Sequence, residues 1–474
     1  MNDIPYIHVF RTSEQCYVYD VNTNKILRIP ETVYHYLSNS GISDCDGTTL
    51  AFIQNMKANG FLRSDRVEIS EHPATPLLSY YLENKMQQLM LQVTQNCNLR
   101  CNYCSYSGSY KNRTHSHSLM SDETAERAID YFINRTKDNK SITVSFYGGE
   151  PLLNFELIKH CVDYIEARYS GKRIDYGMTT NGTLLDDNVI IFLVNKGFNL
   201  LISLDGPKEI HDAHRRFANS IEGSFSVIME NIKRIKNLYP EYYQSKVRFN
   251  AVLDITQMFS CVNEFVLDDE YFGEENKFMY NYVTNNYTDN RINIYEEFFV
   301  DREYEFFKLL LSKLGAFPRN KTSYILANQL SRIYLHCFQS IEIEEEHIPP
   351  KFHHSGPCIP GASRLFVDTT GKLFPCERVS EISETVVLGD IEKGICLKKA
   401  TQILNLETTT HSKCRDCWAY RQCTICVALA DDLKGVSDVE TKKECPIVCA
   451  SIEDIFKNYC VLRELGYTFD EERL

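Results

Sequence analysis

Apolar and polar positions change rhythm twice along this chain. Up to about residue 86, short apolar runs (YIHVF, CYVYDV and KILRI) are separated by turn residues, including NTN at 22–24, and predict a small meander of strands. Two helical patterns follow, ETVYHYLSNSG and TTLAFIQNMKANGFL, each closing near a glycine. The polar stretch SDRVEISEHPATPLL, with two prolines, reads as the linker out of this strand-then-helix module.

From about residue 88 strands alternate with helices at the spacing of βα units. The predicted strands are LMLQVTQ, ITVSFYGG, RIDYGMTTNG, LLISLDG, VRFNAVLD and FMYNYV. Between them SDETAERAIDYFINRT opens on a capping-type region at Ser121 to Thr124 and carries a helical apolar stripe, and NFELIKHCVDYIEARY, DDNVIIFLVNKG and SFSVIMENIKRIKNLY behave likewise. Six such units predict an α/β fold: a parallel, curved sheet with helices outside, a partial or a full barrel, whose chemistry belongs at the strand C-termini. The chemically notable residues do fall there, with cysteines after the first strand, GGEP after the second, TNG after the third and LDGP after the fourth. Residues 255–350 are acidic and aromatic, with one clear helix near DREYEFFKLLLSKL. From 351 cysteines return densely, the sheet pattern stops, and a further domain is expected to begin.

Composition narrows the setting. A chain of 474 residues exceeds what one hydrophobic core supports, so two or three domains are expected. With 51 Lys and Arg against 64 Asp and Glu, the net charge of −13 repels phosphate backbones and anionic membranes, which argues against nucleic acid and membrane partners. The start, MNDIPYIHVF, lacks the features of a signal peptide and no window approaches a membrane span, so a cytoplasmic protein is expected. In that compartment 18 cysteines stay reduced, and clustered thiols argue for metal over disulfide. The scattered Cys16, Cys45, Cys161, Cys261, Cys396 and Cys460 read as small buried apolar side chains.

The octet CNLRCNYC puts Cys97, Cys101 and Cys104 on one turn. Zinc takes four ligands, and His115 and His117 keep that reading open. A four-iron, four-sulfur cluster on three thiolates is instead chemically complete, and leaves one iron able to take a substrate molecule.

CNLRCNYC has the CxxxCxxC form of the radical S-adenosylmethionine (radical SAM) enzymes, including an aromatic residue, Tyr103, before the last cysteine. Its place after a first strand, followed by GGEP after the second, strengthens the likeness. The resemblance implies a partial (β/α)6 barrel, a [4Fe-4S] cluster whose unique iron chelates the amino and carboxylate groups of S-adenosyl-L-methionine, and release of a 5′-deoxyadenosyl radical that removes hydrogen from an unactivated carbon. It also implies site residues. Gly148, Gly149 and Glu150 match the GGE motif that meets the methionyl ammonium, where glycine lets backbone approach ligand. Thr180 and Asn181, with Gly182, match the segment by the ribose, and Ser203 and Asp205 the SLDG end of the fourth strand. Arg215 falls where the family has an arginine for the SAM carboxylate, with Arg216 as the alternative.

The C-terminal region carries Cys358, Gly371 and Cys376, then Cys414, Cys417, Cys423 and Cys426, with Cys445 and Cys449 beyond. Paired CxxC motifs also build zinc ribbons. The order is similar to the SPASM extension of radical SAM enzymes, which implies two auxiliary clusters and three [4Fe-4S] clusters in all; the spacing departs at Cys423 to Cys426, with two intervening residues in place of three. By analogy Cys414, Cys417, Cys423 and Cys445 hold one cluster. Cys358, Cys376 and Cys426 hold the other, its fourth ligand left to Cys449, Cys337 or an incoming substrate. Glu377 stands where some relatives carry a carboxylate proposed as a base, a solvated residue being the alternative.

The front module resembles the small winged-helix-like domain that recognises leader peptides of ribosomally made, post-translationally modified peptides, with an edge strand around CYVYDV or KILRI taking the leader. The expected domains are a leader-recognition domain at 1–86, the radical SAM barrel at 87–350, a SPASM domain at 351–450 and a C-terminal helix at 451–474. The expected function is a peptide maturase that installs thioether cross-links in a ribosomally synthesised precursor peptide, with flavodoxin or ferredoxin as electron donor. The alternatives are a carbon–carbon cross-linking maturase, a sulfatase-type maturase, and a non-catalytic iron–sulfur electron carrier or sensor.

Overall fold

The computed structural model describes residues 4–39, 46–107, 109–268, 272, 277–283, 286–288, 295–343 and 347–469; Cys45 lies outside them. The first three strands, β1 (Ile7–Arg11), β2 (Cys16–Asp20) and β3 (Lys25–Ile29), form an antiparallel sheet in the order β1-β2-β3, followed by helices Glu31–Ser38 and Gly47–Ala58. CYVYDV is therefore the central strand, paired on both sides, and of the two expected leader-binding edges only KILRI is one. The expected linker is folded. Within it β4 (Ile69–Ser70) pairs with the distant β11 (Lys351–Phe352), and Pro76 sits in the first turn of a 3₁₀ helix, Thr75–Leu77, where its missing N–H costs nothing.

Six parallel strands follow where the sequence predicts them: β5 (Gln88–Thr94), β6 (Ser141–Gly148), β7 (Arg173–Thr180), β8 (Asn199–Ser203), β9 (Val247–Leu253) and β10 (Phe278–Tyr282). Helices Asp122–Ile133, Phe155–Arg168, Asp187–Asn195, Phe225–Leu238 and Phe259–Asp268 connect them. Ser121 caps the first of these by accepting from Thr124 N at 3.1 Å.

Side-chain alternation separates the two faces of this sheet. In β9, Val247, Phe249, Ala251 and Leu253 are buried, while Arg248, Asn250 and Val252 between them are half-buried. On β5 and β6 the inward positions other than Met90 are polar or carry a hydroxyl: Gln88 Nε2 donates to Ser145 Oγ at 3.0 Å, and Gln92 and Tyr147 stand level in register. The sheet is apolar outside and polar within its curve.

The sheet does not stop at 351, as the sequence pattern suggested. Strand β12 (Leu365–Val367) pairs in parallel with β5, and β13 (Lys372–Phe374), β14 (Gly389–Asp390) and β15 (Gly394–Ile395) extend it antiparallel, giving ten strands in the order β10-β9-β8-β7-β6-β5-β12-β13-β14-β15. Two- and three-residue strands are too short to show a period, yet they cover the backbone edge that β5 would otherwise expose. The 450/451 boundary falls inside one continuous helix, Asp438–Glu464, which carries Cys445 and Cys449. Among the described residues no helix is long and apolar enough to cross a membrane.

Candidate functional site

The cysteine loop begins where β5 ends, and the second strand's GGE turn grips it through backbone bonds. Gly149 N donates to Thr94 O at 3.0 Å and Glu150 N to Asn96 O at 2.9 Å. A Cβ on Gly148, whose φ is 145°, would lie 2.1 Å from Thr94 O, and one on Gly149 2.1 Å from Asn96 O. Glycine is thus required by the chain's own backbone as it turns into the cysteine loop, a reason separate from any ligand. Within the loop Leu99 N donates to Cys97 Sγ (3.3 Å) and Cys104 N to Cys101 O (3.1 Å).

Glu150, Thr180 and Asn181 form one buried unit. The Glu150 carboxylate accepts from Leu152 N (3.1 Å), Thr180 Oγ1 (2.7 Å) and Asn181 N (2.7 Å). Burial pushes its carboxyl up to about 7 against the pull of those bonds. Asn181 Nδ2 donates to Asn98 Oδ1 (2.8 Å) and lies 3.8 Å from Cys97 Sγ, so the GGE and TNG motifs together brace the loop.

On the other side Arg215 forks onto Asp205, Nε to Oδ2 at 2.8 Å and Nη2 to Oδ1 at 3.0 Å. Asp205 is fully buried and also accepts from the Tyr103 hydroxyl and from Val252 N (2.9 Å). Burial works to raise its carboxyl, but the guanidinium holds it below the usual range. Arg215 is 7% exposed and within electrostatic reach of Cys101, whereas Arg216 is turned to its own helix through Asp212 O, so Arg215 is the inward-facing one of the pair. Ser203 is half-buried beside Asn250. Burial pushes the thiols of Cys97 and Cys101 up to about 12 and about 11, so metal binding here must displace protons.

Next to Tyr103 opens a cavity of about 280 Å³ that motif reading missed, lined among others by Asn102, Tyr110, His214, Val252 and Asp254. His214 spans Asn102 Oδ1 (2.9 Å) and Asp254 Oδ2 (2.8 Å), and its hydrogen bond lowers Asp254 to about 2. The available signals were HDAHRRF beside Arg215 and the aspartate closing VRFNAVLD.

The C-terminal cysteines divide into two groups. Cys414, Cys417, Cys423 and Cys445 influence one another electrostatically, and Cys449 joins them, its sulfur hydrogen-bonded with that of Cys417. Cys445 and Cys449 stand one turn apart on the same helix. Cys358, Cys376 and Cys426 form the second group. Cys449, a candidate fourth ligand of that second group, is thus placed with the first. Cys337 is buried with its Sγ 3.9 Å from Ile455 O, under the long helix. Beside the second group Arg364 Nη1 lies 2.6 Å from each carboxylate oxygen of Glu377, and Arg364 Nε donates to Gln88 at 3.1 Å.

A single zinc ion holds its sulfurs about 3.8 Å apart, from Zn–S bonds of about 2.3 Å in a tetrahedron. Among the described residues no three cysteine sulfurs lie within 4.8 Å of one another. The one trio that does converge is His353, His354 and Glu407. Its lone pairs are taken: His353 Nε2 accepts from Glu407 N (3.1 Å), His354 Nδ1 from Gly356 N (3.2 Å), and Glu407 from Tyr420 OH (2.7 Å). It is a structural hub below the Cys414 turn.

A six-stranded parallel barrel with three cysteines at the end of its first strand defines a radical SAM domain. Residues 91–254 match the model of the Radical SAM superfamily, so the chain contains a radical SAM domain. Such domains are catalytic, so the chain is an enzyme, and they imply one four-iron, four-sulfur cluster and S-adenosylmethionine. The chain is similar to the cysteine-type anaerobic sulfatase-maturating enzyme of Clostridium novyi, at 35% identity over 161 residues covering 33% of this chain and 42% of that enzyme's length. It is similar to the enzyme of that name from Clostridium perfringens at 23% identity over 390 residues, 75% of this chain and 92% of the other. In fold it resembles native anSMEcpe with bound AdoMet, with a TM-score of 0.57 at 19% identity, covering 80% of this chain and 99% of that one.

Proposed function

We propose that this enzyme is a peptide maturase that forms thioether cross-links, joining a cysteine sulfur to a carbon in a ribosomally made precursor peptide. One observation carries the reading: among the described residues Cys358, Cys376 and Cys426 stand together as a group of three thiols, while Cys449 stands with the other group. A metal site short of one protein ligand can take a substrate thiolate. Relatives named as maturating enzymes support a protein or peptide substrate. The match to the Clostridium perfringens enzyme leaves a quarter of this chain unmatched.

Cys97, Cys101 and Cys104 would hold the cluster that binds S-adenosylmethionine. Tyr103, Gly148, Gly149, Glu150, Thr180, Asn181, Ser203, Asp205 and Arg215 would shape its pocket. Cys414, Cys417, Cys423 and Cys445 would hold one auxiliary cluster and the three-thiol group the second, making three clusters. When bound, these groups supply a 5′-deoxyadenosyl radical that takes hydrogen from carbon. The chain's polar inner face, with the half-buried Gln88 and Tyr147, receives the peptide between the two cysteine sites. Glu377 is paired with Arg364, and accepting a proton would break that pair, so we assign it to orienting Arg364 beside Cys376 and not to base catalysis. Forming the bond removes the thiol proton, one hydrogen atom from carbon and one electron, which passes to the auxiliary site or to a one-electron carrier of the flavodoxin or ferredoxin kind.

The test is anaerobic incubation of the reconstituted enzyme with S-adenosylmethionine, dithionite and a cysteine-containing peptide encoded beside its gene. Mass spectrometry should show loss of two hydrogens per cross-link with the thiol closed to alkylation. Loss of two hydrogens with every thiol still alkylatable would indicate a carbon–carbon link and refute the thioether.

A further inference from the structure

The loop that leaves Cys104 and the segment that leaves Cys376 are strapped together by two buried, oppositely charged side chains. Arg113 is 3% and Glu381 7% exposed at the side chain. Arg113 Nη2 donates to the backbone oxygens of Glu377 and of Val379, the latter at 2.7 Å. Glu381 reaches the opposite way. It accepts from Tyr106 OH (2.7 Å), Gln92 Nε2 (2.6 Å) and Gln95 Nε2 (3.1 Å), and its backbone N donates to Asn112 O (3.2 Å). Each segment thus holds the other through a charged group, and Gln92 and Gln95 tie both to the end of β5, where the cysteine loop starts.

Breaking such a pair would leave a buried charge without its partner, which is far more costly than losing a surface contact. The strap is also incompletely closed. Arg113 Nε faces Glu381 Oε1 at 3.4 Å without a hydrogen bond, and Asn112 Oδ1 and His115 Nε2 on the same loop are buried without partners. Buried unpaired polar atoms are uncommon enough to need a reason. A small inward movement of the loop would complete the Arg113 to Glu381 contact.

We propose that Arg113 and Glu381 are positioning residues that carry occupancy of the S-adenosylmethionine site from the cysteine loop to the segment leaving Cys376, so that the three-thiol auxiliary group answers to the cosubstrate. The inference rests on the cysteine loop being that site. By linkage, an auxiliary group that responds to the cosubstrate also biases the cosubstrate's binding by the same factor.

Hydrogen exchange read by mass spectrometry on the full-length, anaerobically reconstituted chain, with and without S-adenosylmethionine and without reductant, tests it. In the native chain the cosubstrate should slow exchange in 97–115 and also, by about fivefold or more, in 377–383. In Glu381→Gln, which keeps the shape and loses the charge, and in Arg113→Lys, which keeps the charge and loses the fork, 97–115 should still respond while 377–383 does not. Glu381→Ala serves as a third variant, each being checked for native iron content before exchange. A native 377–383 segment blind to the cosubstrate, or one that still responds in all three variants, overturns the proposal. No response in 97–115 of the native chain would instead overturn the assignment of the loop.

Discussion

The imidazole of His8 lies flat on the indole of Trp418, with ring centroids 3.8 Å apart and planes 9° from parallel. The contact seats the N-terminal sheet on the turn that carries Cys414 and Cys417. Tyr6 OH donates to Cys417 O at 2.9 Å, His8 Nε2 lies 2.9 Å from Glu453 Oε2, and Phe10 and Tyr19 pack on Phe456 of the long C-terminal helix. The front module is therefore part of the wall around the group formed by Cys414, Cys417, Cys423, Cys445 and Cys449.

Trp418 is the sole tryptophan, so its emission reports this joint alone. His8→Ala should cost about 0.5–1.5 kcal/mol for the lost ring pair. Iron-free protein carrying it should show emission shifted to longer wavelength and a lower denaturation midpoint. Unchanged emission and midpoint would mean the stacking contributes nothing.

Replacing Cys97, Cys101 and Cys104 together with alanine should abolish formation of 5′-deoxyadenosine and lower bound iron from about 12 to about 8 atoms per chain, counting about four per cluster. Chromatography of the nucleoside and iron analysis read the two effects. Undiminished cleavage would remove the loop from the chemistry, and tightly bound zinc in place of the remaining iron would favour a ribbon.

Gly149→Ala places a methyl group 2.1 Å from Asn96 O, a backbone atom that cannot swing aside. The strain should cost about 3 kcal/mol, as overpacking does, and loosen the cysteine loop. Denaturant unfolding should show the loss, and equilibrium binding of S-adenosylmethionine should weaken with it. Gly171→Ala, which meets nothing within 4 Å, is the control.

Acid should destabilise the chain well above the carboxylate range. Burial pushes His211 and His354 down to about 3, so both stay neutral when folded and take up protons when unfolded below about 6.5. Their contribution is complete above 6.5 and is lost as pH falls from there toward 3, at up to about 1.4 kcal/mol per pH unit for each histidine. His354→Gln should flatten the fall in denaturation midpoint between pH 6.5 and 4, and an unchanged slope would refute the assignment.

Much of the barrel and its motifs was legible in the sequence, because periodicity and turn chemistry are local. A six-fold strand and helix alternation survives in single-sequence patterns, and CNLRCNYC, GGEP and TNG each keep their spacing within one turn. The residues that connect these motifs were not legible. Arg113 and Glu381 are separated by hundreds of positions, and His214 meets Asp254 only because neighbouring strands end at one level.

The sequence by itself determined the succession of barrel strands along the chain and the three-cysteine turn, while the tertiary structure supplied the backbone contacts that require glycine at 148 and 149. Only the tertiary structure decided which cysteines stand together, since a thiol's partner depends on how helices and turns pack. It placed Cys449 beside Cys417 and buried CYVYDV in the middle of its sheet. It also carried the barrel sheet on through β12 to β15, strands that exist because an open edge beside β5 needs hydrogen-bond partners, a demand that no local run of residues records.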